Sequence, residues 1–237
     1  MAISALLAKD TTKVQGGGGL LYVAEHDAAK TPYGALATVK TPYTTGTSLV
    51  CYDDRDFSAS GALNVDIFGA SPETNQTFNS VSSGTFTLAS GLAGGHAARA
   101  IVQEYAANLY APSAWKCLGY LGGSSMPKSG QNTDVFSEED ELIATLTGQK
   151  AVQLDTVIQQ AMKDEIDFFY KEAEDGLYAL MYVVPRKTLG SLFIVANMVQ
   201  ILSTPNTQFQ SNQVSAISAS IKFIKNGDEE LFMAYQG

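Results

Sequence analysis

The sequence predicts a mainly β protein with one or two flanking α-helices, an α+β chain of the β-sandwich or barrel kind. Three observations carry this. Short runs such as GALNVDIF (61–68) and SAISASIKFIK (215–225) alternate apolar and polar residues with period two, as half-buried strands do. Clusters of Gly, Pro, Asn and Asp separate the runs and suit turns. The composition, 45% hydrophobic against 16% charged over 237 residues, supplies a sizeable core and leaves much uncharged polar surface.

Residues 1–19 are expected to form a flexible arm ending in Gly16-Gly17-Gly18-Gly19, which offers no side chains to pack. A phosphate-cradling loop would need spaced glycines with Lys and Ser or Thr. One β-rich domain is expected over 20–237. LLYVA (20–24) reads as a strand. TPYG (31–34) and TPYT (41–44) flank ALATVK as proline-set corners of a hairpin loop. SLVCY (48–52) precedes an acidic turn, Asp53-Asp54-Arg55-Asp56, which lacks the glycine and terminal glutamate of a calcium loop. In 61–68, Leu63, Val65 and Ile67 share one face of a strand, and Asn64 and Asp66 the other. SPETNQTFNS (71–80) reads as a polar loop and TFTLAS (85–90) as a strand. Ala97, Ala98, Ile101, Val102, Tyr105 and Leu109 recur at three- and four-residue spacing, which predicts a helix ended by Pro112. His96 falls at its start, in a structural role. Residues 117–141 pass from Gly/Ser-rich to acidic and read as a long loop.

The stretch 142–223 organises the chain. LIATLTG (142–148) reads as a strand. Leu154, Ile158, Met162 and Ile166 step by four, with Val157 and Ala161 alongside, which predicts a helix over 151–163. IDFFYKEAE either extends that helix, capped by Gly176, or pairs through Asp175-Gly176 with LYALMYVV. The aromatic cluster Phe168-Phe169-Tyr170 favours the hairpin. Pro185-Arg186-Lys187 closes the strand. SLFIVANMVQIL (191–202) is nearly all apolar, as in a strand covered on both faces by a helix or a second subunit. TPNTQFQSNQ (204–213) reads as a loop. Ile217, Ala219, Ile221 and Phe223 form one face of the next strand, Ser218, Ser220 and Lys222 the other. Asn226-Gly227 then suggests a hairpin returning through EELFMAYQG. TFTLASG and LIATLTG, each followed by an expected helix, form a faint echo that would suit a duplication.

The charge is uneven. Residues 134–175 hold twelve acids against three lysines, which accounts for the whole net charge of −9 and leaves twelve charges of each sign elsewhere. A basic patch to neutralise phosphates is therefore not expected. The acidic segment reads either as a solvated face or as a surface that keeps nucleic acid off. Cys51 and Cys117, without a CxxC or a histidine pair, read as reduced thiols, with a single disulfide the alternative. MAISALLAKDTTK lacks a basic n-region and a long h-region, so no signal peptide is expected, and no run approaches membrane-spanning length. The chain lacks HExxH, a Walker loop, GxGxxG, a Cys/His quartet and a nucleophile elbow, so neither catalysis nor a cofactor or metal is expected.

LIATLTG before a short helix, EDGLYALMYVVPRK around the hairpin, and the closing strand SAISASIKFIK together resemble the major tail proteins of long-tailed bacteriophages. The resemblance implies a β-sandwich or barrel of the tail tube type, assembled as stacked hexameric rings with DNA passing through the lumen. It implies contacts with other copies and with the tape measure and terminator proteins, DNA only in transit, no membrane, and a place in the virion tail after assembly in the host bacterial cytoplasm. Under it, Asp155, Asp164, Glu165, Asp167 and Glu172 are candidate lumen-facing acids. Glu138, Glu139, Asp140, Phe193 and Val195 are candidate inter-subunit contacts, and the arm and the 119–141 loop would reach between rings. A capsid decoration or head–tail connector protein is the alternative from the same composition. A hydrolase built on His96 and Cys117 is a third reading.

Overall fold

The computed structural model describes residues 19–57, 62–69, 72–136, 142–159, 163–171, 176–186, 190–208, 216–225, 227 and 230–237. The chain starts one barrel, leaves it to build a second, and then returns to finish the first. Strand β1 (Leu20–Glu25) is followed by β2 (Leu36–Thr38), β3 (Ser48–Val50), β4 (Leu63–Ile67), β5 (Glu73–Ser82), β6 (Thr85–Leu88) and β7 (Ile101–Glu104). Then come β8 (Lys116–Ser125), β9 (Lys128–Phe136), β10 (Leu142–Gln159), the helix α1 (Lys163–Lys171), β11 (Leu177–Arg186), β12 (Gly190–Gln208), β13 (Ala216–Phe223) and β14 (Met233–Gln236). The protein is mostly β with antiparallel sheets and, among the described residues, one short helix.

The larger sheet has eight strands, and its order β11-β1-β8-β10-β13-β12 returns on itself because β11 also pairs with β12. It therefore curls into a barrel, with β9 and β14 attached outside the circuit. Inside lie Leu21, Val23, Leu118, Leu121, Leu154, Ile158, Leu180, Val199, Ile217 and Ile221, all within 3% of full burial. Phe168 and Phe169 of α1 join this core, Phe168 meeting Tyr178 edge-on at 5.5 Å. The helix thus seals the interior with aromatic side chains.

The second sheet runs β2-β7-β4-β5-β6-β3. Its ends are tied by the Val39–Cys51 bridge and by the amides of Lys40 and Tyr52, which donate to Val50 O and Thr38 O. Closure leaves few backbone groups on open edges. Its interior holds Val65, Ile67, Phe78, Phe86 and Val102, with Phe86 edge-on to Phe78 at 5.6 Å and to Phe57 at 5.0 Å. This barrel is an insertion: residues 26–115 leave after β1 and return into β8, which lies beside it with Val23 opposite Lys116.

An apolar layer joins the two. Leu20, Tyr22 and Ala24 of β1, Ala179, Met181 and Val183 of β11, and Phe193 and Val195 of β12 pack against Leu36, Phe68, Ile101, Tyr110 and Trp115. These strands are thus buried on both faces, which is why LLYVA, LYALMYVV and SLFIVANMV read as continuous apolar runs. The second cover expected for 191–202 comes from the chain's own inserted barrel. Phe193 and Val195, both 0% exposed, have no surface to offer another subunit, contrary to expectation.

Several expected elements are replaced. The helix over 97–109 is instead strand β7 with its flanking loops, and of the helix expected over 151–163, residues 151–159 continue β10, 160–162 lie outside the described residues and Lys163 starts α1. A step of four is a multiple of two, so Leu154 and Ile158 share the inner face of a strand as readily as one side of a helix. IDFFYK belongs to α1, not to a hairpin strand; Asp175 lies outside the described residues. The loops expected at 71–80 and 117–141 contain β5, β8 and β9, although 137–141 lie outside the described residues. β12 runs on through Pro205, which falls where its pairing with β13 shifts register between Leu202 and Asn206. β14 pairs with β12 and not with β13, so no hairpin joins the last two strands. The TPY corners do not turn a hairpin. They place Tyr33 and Tyr43, whose hydroxyls donate to Glu230 O and Gly46 O. Residues 1–18 of the expected arm lie outside the described residues. Gly19 belongs to the barrel: its carbonyl accepts the Leu121 amide, and a Cβ there would meet the Tyr182 ring at 2.2 Å.

The β5–β6 hairpin turns on Ser83 and Gly84, both with positive φ (50° and 76°). A Cβ on Gly84 would lie 2.7 Å from the Cys51 carbonyl oxygen. Gly84→Ala is therefore expected to cost about 1–3 kcal/mol, and Phe193→Ala about 3–5 kcal/mol through the cavity it leaves between the barrels. Urea unfolding of each variant checks both values.

Candidate functional site

The inserted barrel covers β1, β11, part of β12 and the start of β8, which leaves the outer face of the end of β8 and of β10 and β13 bare. Burial alternates strictly along β13, with Ile217, Ala219, Ile221 and Phe223 inward and Ser218 and Lys222 exposed. On β10, Leu154, Thr156 and Ile158 are buried while Asp155 and Val157 look outward. A trough of about 710 Å³ runs over this face, lined by Gly122 to Ser125, Asp155 to Val157, and Ser218 to Ser220.

Asp155 is the acid of the trough. Ser220 Oγ donates to its Oδ1 at 2.5 Å, and Gln153 Nε2 lies 3.0 Å from both carboxylate oxygens. These two donors hold its carboxyl below the usual aspartate range against a small opposing effect of burial. Thr156 Oγ1 donates to Gly123 O at 3.2 Å, and Ser124 Oγ meets the Tyr182 hydroxyl. The outer face therefore carries Asp155 with its Ser220 and Gln153 donors, the exposed Ser218, and Lys222 further along the same row, while the Thr156 hydroxyl turns inward.

Asp164 and Glu165 fall in the first turn of α1, where only the backbone is described, and Asp167 is half-buried on the same helix. Glu172, Glu138, Glu139 and Asp140 lie outside the described residues.

The acidic turn 53–56 works on its own backbone. Asp53 Oδ1 accepts the amides of Asp54 and Arg55 at 2.9 and 3.1 Å, Arg55 closes an ion pair of 2.6 Å, and Asp54 Oδ2 accepts the Gly84 amide at 2.9 Å. Burial raises the Asp53 pKa, but Arg55 and the local amides bring it below the usual range. Among the described residues no group of three or more His, Cys, Asp or Glu is placed to hold a metal ion.

His96 precedes β7 in a loop, its Nε2 3.0 Å from Glu73 Oε1. Cys117 is buried in the layer between the barrels with Tyr22 and Trp115. The two do not form the nucleophile–base pair that a hydrolase reading would need. Cys51 is likewise buried and unoxidised, and burial together with the Asp54 charge pushes its thiol far up.

Sequence reasoning missed Glu73, which sat in an expected loop, and missed the partners of Asp155. A signal was present in each case. Ser83-Gly84 between Val81 and Phe86 marks a hairpin and makes 73–82 its first strand, while the alternation over 215–225 puts Ser220 on the polar face.

No protein-family model matches the chain, and no curated protein matches it. No helix among the described residues is long and apolar enough to cross a membrane.

Because Ser220 is the first donor to Asp155, Ser220→Ala is expected to raise the Asp155 pKa toward the ordinary aspartate value without altering the fold. Adding Gln153→Ala should raise it further. Carbon-13 NMR titration of the side-chain carboxyl measures both.

Proposed function

We propose that the chain is a self-assembling structural protein of a long-tailed phage, forming stacked hexameric rings that make the tail tube. The observation that carries this reading is the ribbon of β9 with the first half of β10. Among the described residues β9 pairs only with β10, from Leu142 opposite Phe136 to Val152 opposite Lys128. The rest of β10, from Gln153 to Gln159, belongs to the barrel between β8 and β13. The ribbon therefore leaves the barrel as a two-stranded extension. Among the described residues, no other strand pairs with either of its outer edges.

Such edges carry rows of backbone donors and acceptors that a strand of another copy would satisfy. A ring of copies repeats that contact until it closes. The trough supports the second half of the reading. Asp155, held ionised by Ser220 and Gln153, sets a negative charge on the same face as Lys222 and so weakens the hold of that face on phosphates, which suits a wall that DNA slides past. On this reading the partners are other copies, the tape measure protein within the tube and the terminator at its end, with DNA in transit and the virion tail as the location.

Negative-stain electron microscopy across a concentration series tests it. The full chain is expected to give rings with a central hole or tubes of stacked rings. A variant in which an Asn-Gly turn joins Ser129 to Ala151, removing the ribbon beyond them, is expected to stay folded by circular dichroism and to remain monomeric. A full chain that is monomeric at every concentration, or a shortened variant that assembles as well as the full chain, overturns the proposal.

A further inference from the structure

Glu73 opens β5 at the loop end of the inserted barrel. Its Oε1 accepts the Gly94 amide at 2.9 Å and faces His96 Nε2 at 3.0 Å, and its Oε2 accepts the Ala93 amide at 3.1 Å. His96 exchanges two backbone hydrogen bonds with Tyr43, of 2.9 and 3.0 Å, and its ring lies 6.4 Å from the Tyr43 ring. The Tyr43 hydroxyl donates to Gly46 O at 2.6 Å and accepts the Leu92 amide at 3.0 Å. The His96 side chain is 1% exposed and that of Glu73 9%. The consecutive amides of Leu92, Ala93 and Gly94 are thus all held by side chains, two of them by one carboxylate.

We infer that Glu73 is an acid-released latch: its carboxylate holds residues 93–96 against β5, and its protonation frees that segment while both barrels stay closed. An ionised carboxylate only accepts, which suits a site that presents three N–H donors. A protonated carboxyl brings a hydrogen of its own into this ring of donors and leaves one or more of them unmatched in a buried place. The rest of the inserted barrel does not rely on Glu73, because its interior is closed by the Val39–Cys51 bridge and by the strand ladders.

The titratable groups around the latch are few. His96 comes from the held segment and Tyr43 from the loop before β3. Asp66 comes from β4, whose Ile67 is opposite Glu73; its carboxylate accepts the Asn75 amide and burial pushes its pKa up. Of these, His96 alone contacts the Glu73 carboxyl. Burial raises the Glu73 pKa, but the Gly94 and Ala93 amides and His96 bring it below the usual glutamate value. A lowered folded-state pKa means stabilisation that is complete above the ordinary glutamate value, about 4.3. It is lost as the pH falls through the folded-state value.

Amide hydrogen exchange by NMR, corrected for intrinsic rates, tests the latch between about pH 7 and about pH 2.5, a range that brackets carboxylate titration. Protection of the Ala93 and Gly94 amides is expected to fall roughly tenfold or more on acidification, while amides of β4, β6 and β11 keep theirs. Glu73→Gln is expected to lack that protection at both ends of the range. The midpoint of the loss must coincide with the Glu73 carboxyl titration, followed by carbon-13 shift in the unmodified protein, which needs no variant to fold. Three results would each overturn the latch: protection that does not change with pH, protection lost only together with the barrel cores, or a midpoint away from the Glu73 titration.

Discussion

The apolar layer between the two barrels is the constraint on which the rest depends. Leu20, Tyr22, Ala24, Met181, Val183, Phe193 and Val195 each turn away from the larger barrel's interior, and each is buried all the same. A strand buried on both faces cannot be exposed on either side without a large loss of hydrophobic stabilisation. The inserted barrel is therefore the outer wall of the main one. Its placement also decides where polar chemistry can appear. With β1, β11, part of β12 and the start of β8 covered, the exposed outward residues collect on the end of β8 and on β10 and β13, and the trough with Asp155 follows from that.

Much of this was legible where one face is wet and one is dry. β6 and β13 follow their alternation, and the inward and outward residues of 215–225 are the ones the pattern names, whereas β4 is a strand whose expected polar-face residue Asp66 is buried. Where both faces are buried, apolar runs mark the strands at β1, β11 and β12 but do not say what covers them. The expected helices failed for a specific reason. In β10, apolar residues four apart satisfy both periods, and nothing in Leu154, Ile158 and their neighbours breaks the tie. For α1 the error was the reverse, since adjacent aromatics favour strands on average. Yet Asp164 and Glu165 at the start and Lys171 at the end suit a helix dipole. β5, β8 and β9 were hidden by Gly, Ser, Thr and Asn, residues that read as loop when no partner strand is known. Asp155 could be named from its charge. Its environment depends on Ser220 lying opposite it across the sheet, and such pairing is set by register rather than by composition.

Edge management links the architecture to the proposed role. The chain closes two circuits of strands, so most ladder groups are paired within the molecule. Against that background the β9–β10 ribbon is an exception, extending well past the barrel with its two strands paired, among the described residues, only to each other. Isolated two-stranded ribbons are marginal in water. A long ribbon retained by a protein that otherwise closes its sheets is a feature that assembly with other copies would make intelligible.

The insertion between β1 and β8 also bears on how the chain acquires its structure during synthesis. β1 leaves the ribosome well before its neighbours β8 and β11, with Leu20 opposite Val183. Until those strands are made, β1 has neither ladder partner nor cover, whereas the inserted barrel can close from local hairpins. The antiparallel run β11-β12-β13 can form next. β1 is then made before the inserted barrel but placed after it, and contacts this distant in sequence slow folding. An apolar strand waiting that long would be the segment most in need of protection on the nascent chain.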